Sequence, residues 1–90
     1  MADKKVDYKK VEVELSRVYP FGINKEGKNT VVSINELNGF DDEVISKQVE
    51  KDGKLAGYVQ ISVSGGIDYN EALMLANKDS SKILEAIQGF

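Results

Sequence analysis

The side chains that most often perform catalysis and bind metals in proteins are missing from this sequence. It contains no histidine and no cysteine among its 90 residues. Histidine is the commonest general base and metal ligand, and cysteine supplies thiolate nucleophiles and zinc ligands. A Ser-His or Cys-His nucleophile is therefore impossible, and so is the usual transition-metal cluster. We predict no catalytic residue, no cofactor and no metal site, and hence a protein that is not an enzyme.

Three consecutive acidic residues, Asp41, Asp42 and Glu43, form the densest group of carboxylates. A calcium ion needs six or more oxygen ligands at suitable spacing, and three adjacent acids lack the alternating pattern of a calcium-binding loop. Acidic side chains in the first turn of a helix stabilise it, because they compensate the positive end of the helix dipole. We interpret this group as the solvated start of a helix.

Gly65 and Gly66 precede a predicted helix, an arrangement that could suggest a phosphate-binding loop because helix N-termini attract anions. No Lys-Ser or Lys-Thr pair follows them, and the carboxylate of Asp68 would repel a phosphate. The two glycines therefore predict a turn rather than a nucleotide site.

Charge and hydropathy argue against nucleic-acid and membrane partners. The net charge is −3, which has the wrong sign for phosphate backbones or anionic lipids. A small basic group near the N-terminus has Asp3 beside it and Asp7 within it, and it consists of Lys4, Lys5, Lys9 and Lys10. No segment approaches the roughly 20 apolar residues that span a bilayer. Residues 1–5 are polar and lack the apolar run of a secretory signal, so the sequence predicts a soluble intracellular protein.

Two segments of the N-terminal half, 11–15 and 30–37, alternate between apolar and polar residues with the period of a β-strand. Turn-forming residues at 24–27 lie between them. We predict an antiparallel β-hairpin over residues 6–37. An isolated hairpin is marginally stable in water, so its apolar face must be covered by other elements.

The second half, residues 41–90, is predicted to cover the hairpin with a small bundle of about three to four helices. The first helix follows a turn at 38–40 and runs from about Asp41 to about Lys51. Its predicted inner face consists of Val44, Ile45, Gln48 and Val49. Segment 54–64 fits a helical stripe and a β-strand equally well.

Two further helices have recognisable ends. Asp68 and Glu71 fit a capping box that begins a short helix ending near Ala76. Asn77 is predicted to cap the last helix, and Gly89 is predicted to end it.

The hairpin and the helices together predict a single α+β domain over residues 1–90, with residues 1–5 frayed. Most of the aromatic side chains are assigned to its core, and they are Tyr19, Phe21, Phe40 and Tyr58. Phe90 follows the predicted capping glycine. It either folds back onto the bundle or stays available to a partner, and folding back is favoured.

Four segments, taken in order, give the chain a family resemblance. They read VEVELSRVYPFG, VVSINELNGFDDEV, SGGIDYNEALML and ANKDSSKILEAIQGF. The last pattern includes Leu75, Asp79 and Phe90. Over about residues 6–90 the chain resembles the tail assembly chaperones of long-tailed phages and prophages, small proteins encoded just upstream of the tape-measure gene. The β-like alternation of segment 54–64 departs from the helix that this family leads us to expect there.

The resemblance implies a chaperone that binds the tape-measure protein and keeps its apolar helical segments soluble while tail-tube subunits polymerise around it. It also implies a place in the bacterial host cytoplasm, absence from the mature virion and a further contact with the tail-tube protein; self-association is left open. The alternative is a structural virion protein, such as a tail-completion or connector subunit. The partner-contact residues predicted from apolar helix faces, each of which fits the core equally well, are Val44, Ile45, Tyr58, Ile61 and Phe90.

Overall fold

The computed structural model of the protein describes residues 7–20 and 30–90. This part of the chain folds as an antiparallel β-hairpin followed by four helices, which confirms the predicted α+β class. In chain order the elements are β1 (Lys10–Glu14), β2 (Val31–Asn35), α1 (Gly39–Asp52), α2 (Ala56–Gly65), α3 (Tyr69–Leu73) and α4 (Asn77–Gln88). The predicted frayed segment 1–5, the predicted core residue Phe21 and the predicted turn at 24–27 lie outside the described residues.

The two strands pair in the predicted antiparallel sense, with Val13 opposite Val32. Both side chains are buried, and so is Ile34 two residues further along β2. Alternate residues of a strand share a face, so these side chains form the apolar side of the hairpin. The other side chains of β1 are exposed.

Helix α1 begins two residues earlier than predicted, because Asn38 is its N-cap. The Asn38 side chain accepts a hydrogen bond of 3.0 Å from the Asp41 amide, and the Asp41 carboxylate accepts one of 3.0 Å from the Asn38 amide. This capping box satisfies two backbone donors. The predicted turn at 38–40 is therefore wrong, since Gly39 and Phe40 are the first residues of α1. Helix α1 ends at Asp52, close to the predicted Lys51, and Gly53 is its C-cap with a left-handed φ of 67°.

Segment 54–64, which fitted a helix and a strand equally, lies almost entirely in α2. Helix α2 contacts α1, α3, α4 and β2. A helix that is covered on most sides carries no continuous polar stripe, so its 3.6-residue period is hidden in the sequence. Gly65 permits its close approach to the hairpin, because a Cβ there would stand 3.2 Å from Cγ2 of Val32.

The predicted capping box of Asp68 and Glu71 begins α3, which then ends at Leu73, earlier than predicted. The prediction for α4 is wrong by one residue. Its N-cap is Ala76, whose backbone is extended, and Asn77 is already helical. Gly89 is the C-cap of α4, but in a right-handed conformation, with a φ of −80°.

The core lies between the apolar side of the hairpin and helices α2 to α4. Ile34, Ile61 and Ile83 have no exposed surface and lie at its centre. Phe90 packs against this cluster, so the favoured prediction that the chain end folds back is confirmed. Tyr19 belongs to the core as predicted.

Candidate protein-binding surface

Asp79, the third residue of α4, is a carboxylate with only 2% of its surface exposed. Its Oδ1 accepts a hydrogen bond from the Ser16 amide at 2.9 Å. Its Oδ2 accepts hydrogen bonds from the hydroxyl groups of Ser16 at 2.9 Å and Tyr19 at 2.5 Å. The Tyr19 hydroxyl in turn accepts one from the Ala76 amide at 3.0 Å. This network ties the segment after β1 to the start of α4.

Burial raises the pKa of Asp79, but the hydrogen bonds from Tyr19 and Ser16 and the charge of Arg17 outweigh it, so the pKa lies below the ordinary aspartate value. Burial and the hydrogen bond to Asp79 raise the pKa of the Tyr19 hydroxyl. At neutral pH Asp79 is therefore ionised and Tyr19 is neutral. Neither group is poised to exchange a proton, and we assign the network a structural role.

A shallow groove of about 370 Å³ beside this network offers no separate chemistry. It is lined by Glu14, Leu15, Ser16, Lys78, Asp79 and Lys82. The Lys82 ammonium donates a hydrogen bond of 2.9 Å to the Glu14 carbonyl, which joins the α4 side of the groove to the β1 side. Across residues 7–20 and 30–90, no group of three or more acidic, histidine or cysteine side chains is arranged to hold a metal ion.

Phe40, which was predicted to be a core residue, is 79% exposed, so that prediction is wrong. The capping box fixes Phe40 as the second residue of α1. Five positions separate it from the buried Ile45, which turns the two side chains about 140° apart around the helix. The pair Asn38 and Asp41 is the sequence signal that could have placed Phe40 on the outer side.

Two other exposed apolar side chains lie near Phe40. Val44 is one turn further along α1 and is 46% exposed, so its predicted place on the inner face of the helix is wrong. Tyr8, also 46% exposed, shares with Phe40 a depression of about 310 Å³. The depression is lined by Tyr8, Asn38, Gly39, Phe40 and Glu43. We call Tyr8, Phe40 and Val44 the Phe40 surface. Exposed apolar patches are where proteins commonly contact other proteins, so the Phe40 surface is a candidate binding surface.

Three further apolar side chains are exposed on or beside α2 and α3. They are Leu55, which precedes α2, Leu73, which ends α3, and Met74, which follows it. The Leu55 amide donates a hydrogen bond of 3.0 Å to the Tyr69 hydroxyl, and the Lys54 ammonium lies 5.1 Å from the centre of the Tyr69 ring. These contacts join the two helices. Leu55, an exposed apolar residue outside the Phe40 surface, provides a control for Phe40.

The structure separates the predicted partner-contact residues, which are Val44, Ile45, Tyr58, Ile61 and Phe90. Ile45 and Ile61 are buried within the fold. Tyr58 and Phe90 are half-buried and pack against the core. Of these five residues, Val44 alone lies on the Phe40 surface. A contact of any of the five with a partner stays a prediction.

Comparison with protein-family models, with curated proteins and with solved structures found no match for this chain. The resemblance to phage tail assembly chaperones therefore stays a prediction. Within the described residues, no helix has the length and apolar character needed to cross a membrane.

Proposed function

We propose that this protein is a phage or prophage tail assembly chaperone that binds the tape-measure protein through the Phe40 surface and keeps it soluble during tail-tube assembly. The observation that carries the proposal is the exposure of Phe40, an aromatic side chain that adds little to folding where it stands. Full burial of such a side chain by a partner is worth about 1.5–3 kcal/mol.

The geometry of the Phe40 surface suits the capture of an amphipathic helix. Phe40 and Val44 are spaced one turn apart on a capped helix, and the depression shared by Tyr8 and Phe40 lies beside them. Apolar residues of a partner helix, spaced three or four apart, match such a surface. Since the capping box already orders the start of α1, binding there requires little further ordering of the chain.

Coexpression with the neighbouring tape-measure protein tests the proposal. The soluble fraction of that protein is measured with the wild-type chain, with Phe40→Glu and with Leu55→Glu. The control is matched, because Leu55 is also an exposed apolar residue near the start of a helix. We expect the wild type and Leu55→Glu to raise the soluble fraction and Phe40→Glu to lose the effect. Thermal melting of both variants checks that they fold.

Two results would count against the proposal. If the tape-measure protein is no more soluble with the wild-type chain than without it, the chaperone function fails. Mass spectrometry of purified phage particles distinguishes the structural alternative, because a tail-completion or connector subunit would be present in the virion. We expect the chain to be depleted there.

A further inference from the structure

The apolar pair on α1 continues into two lysines along the same side of the helix. Phe40, Val44, Lys47 and Lys51 are all exposed. They follow one another at spacings of four, three and four residues, and such spacings place side chains on one helix face. They form a single row about 16 Å long, which we call the α1 stripe.

The chemical character of the α1 stripe changes along its length. Its N-terminal half is apolar, and its C-terminal half carries two positive charges. Glu43 and Glu50 lie about a quarter turn to one side and are also exposed. Lys47 has Glu43 four residues before it and Glu50 three residues after it, and exposed pairs at these spacings attract only weakly. The lysine charges therefore remain open to a stronger partner.

This order argues against a symmetric contact with a second copy of the chain. In a parallel two-fold pair of α1 helices, Lys47 and Lys51 would face their own copies and repel. In an antiparallel pair, Phe40 would face Lys51 and Val44 would face Lys47, so apolar and charged side chains would oppose each other. A two-fold interface must be self-complementary, and the α1 stripe is not.

We propose that the tape-measure segment bound here is an amphipathic helix lying along α1, with apolar residues against Phe40 and Val44 and acidic residues against Lys47 and Lys51. This inference rests on the proposed function and specifies the chemistry of the partner. A partner helix parallel to α1 presents the matching order with apolar residues at i and i+4 and acidic residues at i+7 and i+11. An antiparallel helix presents the reverse order.

Two synthetic helical peptides test the charge of the partner. Both peptides carry leucine at i and i+4. Positions i−7, i−3, i+7 and i+11, which serve both helix orientations, are glutamate in one peptide and lysine in the other. Affinity for the full chain is measured by isothermal titration calorimetry. We expect the glutamate peptide to bind more tightly and to weaken in high salt, because exposed ion pairs are screened.

Matched variants locate the charges that act. Lys47→Gln with Lys51→Gln should weaken the affinity for the glutamate peptide about fivefold, because two exposed ion pairs are lost. Asp42→Asn with Glu50→Gln removes the same number of charges from exposed positions of the same helix that do not line the depression, and it should not weaken binding. Phe40→Glu should abolish binding.

Several results would overturn the inference. Tighter binding of the lysine peptide, weakened by Asp42→Asn with Glu50→Gln and not by the lysine substitutions, would mean a basic partner. Sedimentation showing a dimer that Phe40→Glu dissociates would mean that a second copy occupies the surface. If neither peptide binds while the wild-type chain still solubilises the tape-measure protein, the α1 stripe is not the site and the proposed function stands. If the wild-type chain does not solubilise the tape-measure protein at all, the proposed function itself is wrong.

Discussion

Asp79 accepts hydrogen bonds from Ser16 and Tyr19, which precede it by 63 and 60 residues. Asp79 lies in the first turn of α4. Its burial and its distant donors could not be predicted, because the preference of aspartate for a helix start is a local property. The sequence pattern around Asp79 does not show which distant residues will donate hydrogen bonds to it. The role of this residue therefore emerged only from the packing of α4 against the segment after β1.

The lowered pKa of Asp79 makes a prediction for acid stability. A carboxyl group whose folded-state pKa lies below its unfolded value, about 3.9, contributes stability that is fully present above that value and is lost as pH falls through the folded-state pKa. Asp79→Asn should lower the free energy of unfolding by about 2 kcal/mol at pH 7, since it removes hydrogen bonds to a charged acceptor. The difference in the free energy of unfolding between wild type and variant should become smaller below about pH 4.

Urea unfolding of both proteins between pH 7 and pH 2 measures this difference directly. Other carboxylates titrate equally in both proteins, so their effects cancel in the comparison. A difference that stays constant to pH 2, or widens there, would show that the Asp79 carboxylate does not stabilise the fold through its charge. Asp42→Asn, at an exposed carboxylate, should show no comparable difference at pH 7.

At the scale of elements, the sequence located helix ends better where the capping motif had its usual residues. Asp68 with Glu71 was recognised, whereas Asn38 with Asp41 was not, although both form capping boxes. The usual motif ends in glutamate or glutamine, and Asp41 performs the same contact with a shorter side chain. Helix α2 could not be identified for a different reason, since its burial removes the amphipathic pattern on which prediction depends.

The two ends of α1 should respond to the same substitution with opposite sign. Gly53 has a φ of 67°, which side chains rarely adopt, whereas Gly39 is helical, and a Cβ at either position meets nothing within 4 Å. Gly53→Ala should therefore lower the free energy of unfolding by about 1 kcal/mol, and Gly39→Ala should raise it by about 0.5 kcal/mol. Denaturant unfolding measures both. Equal effects at the two glycines would mean that backbone conformation does not determine where α1 ends.

At the scale of the whole molecule, sequence periodicity marks the apolar residues but not which of them the fold covers. Ile61 was predicted both as a partner contact and as core, and it proves to be buried because α2 lies among the other elements. Phe40 was assigned to the core and proves to be exposed. The difference depends on how the helices pack together. The distribution of apolar side chains between core and surface was therefore the main feature that the sequence left open.

This distribution makes a prediction that separates folding from binding. Phe40→Ser should change the free energy of unfolding by less than about 0.5 kcal/mol, because the side chain is already largely in solvent. Ile61→Val should lower it by about 1 kcal/mol, because it removes one methyl group from a fully buried site. Coexpression should show the reverse ranking, with Phe40→Ser losing solubilisation of the tape-measure protein and Ile61→Val retaining it. A Phe40→Ser variant that unfolds as readily as a core variant would place Phe40 among the residues that stabilise the fold and would remove the reason for assigning it to a partner.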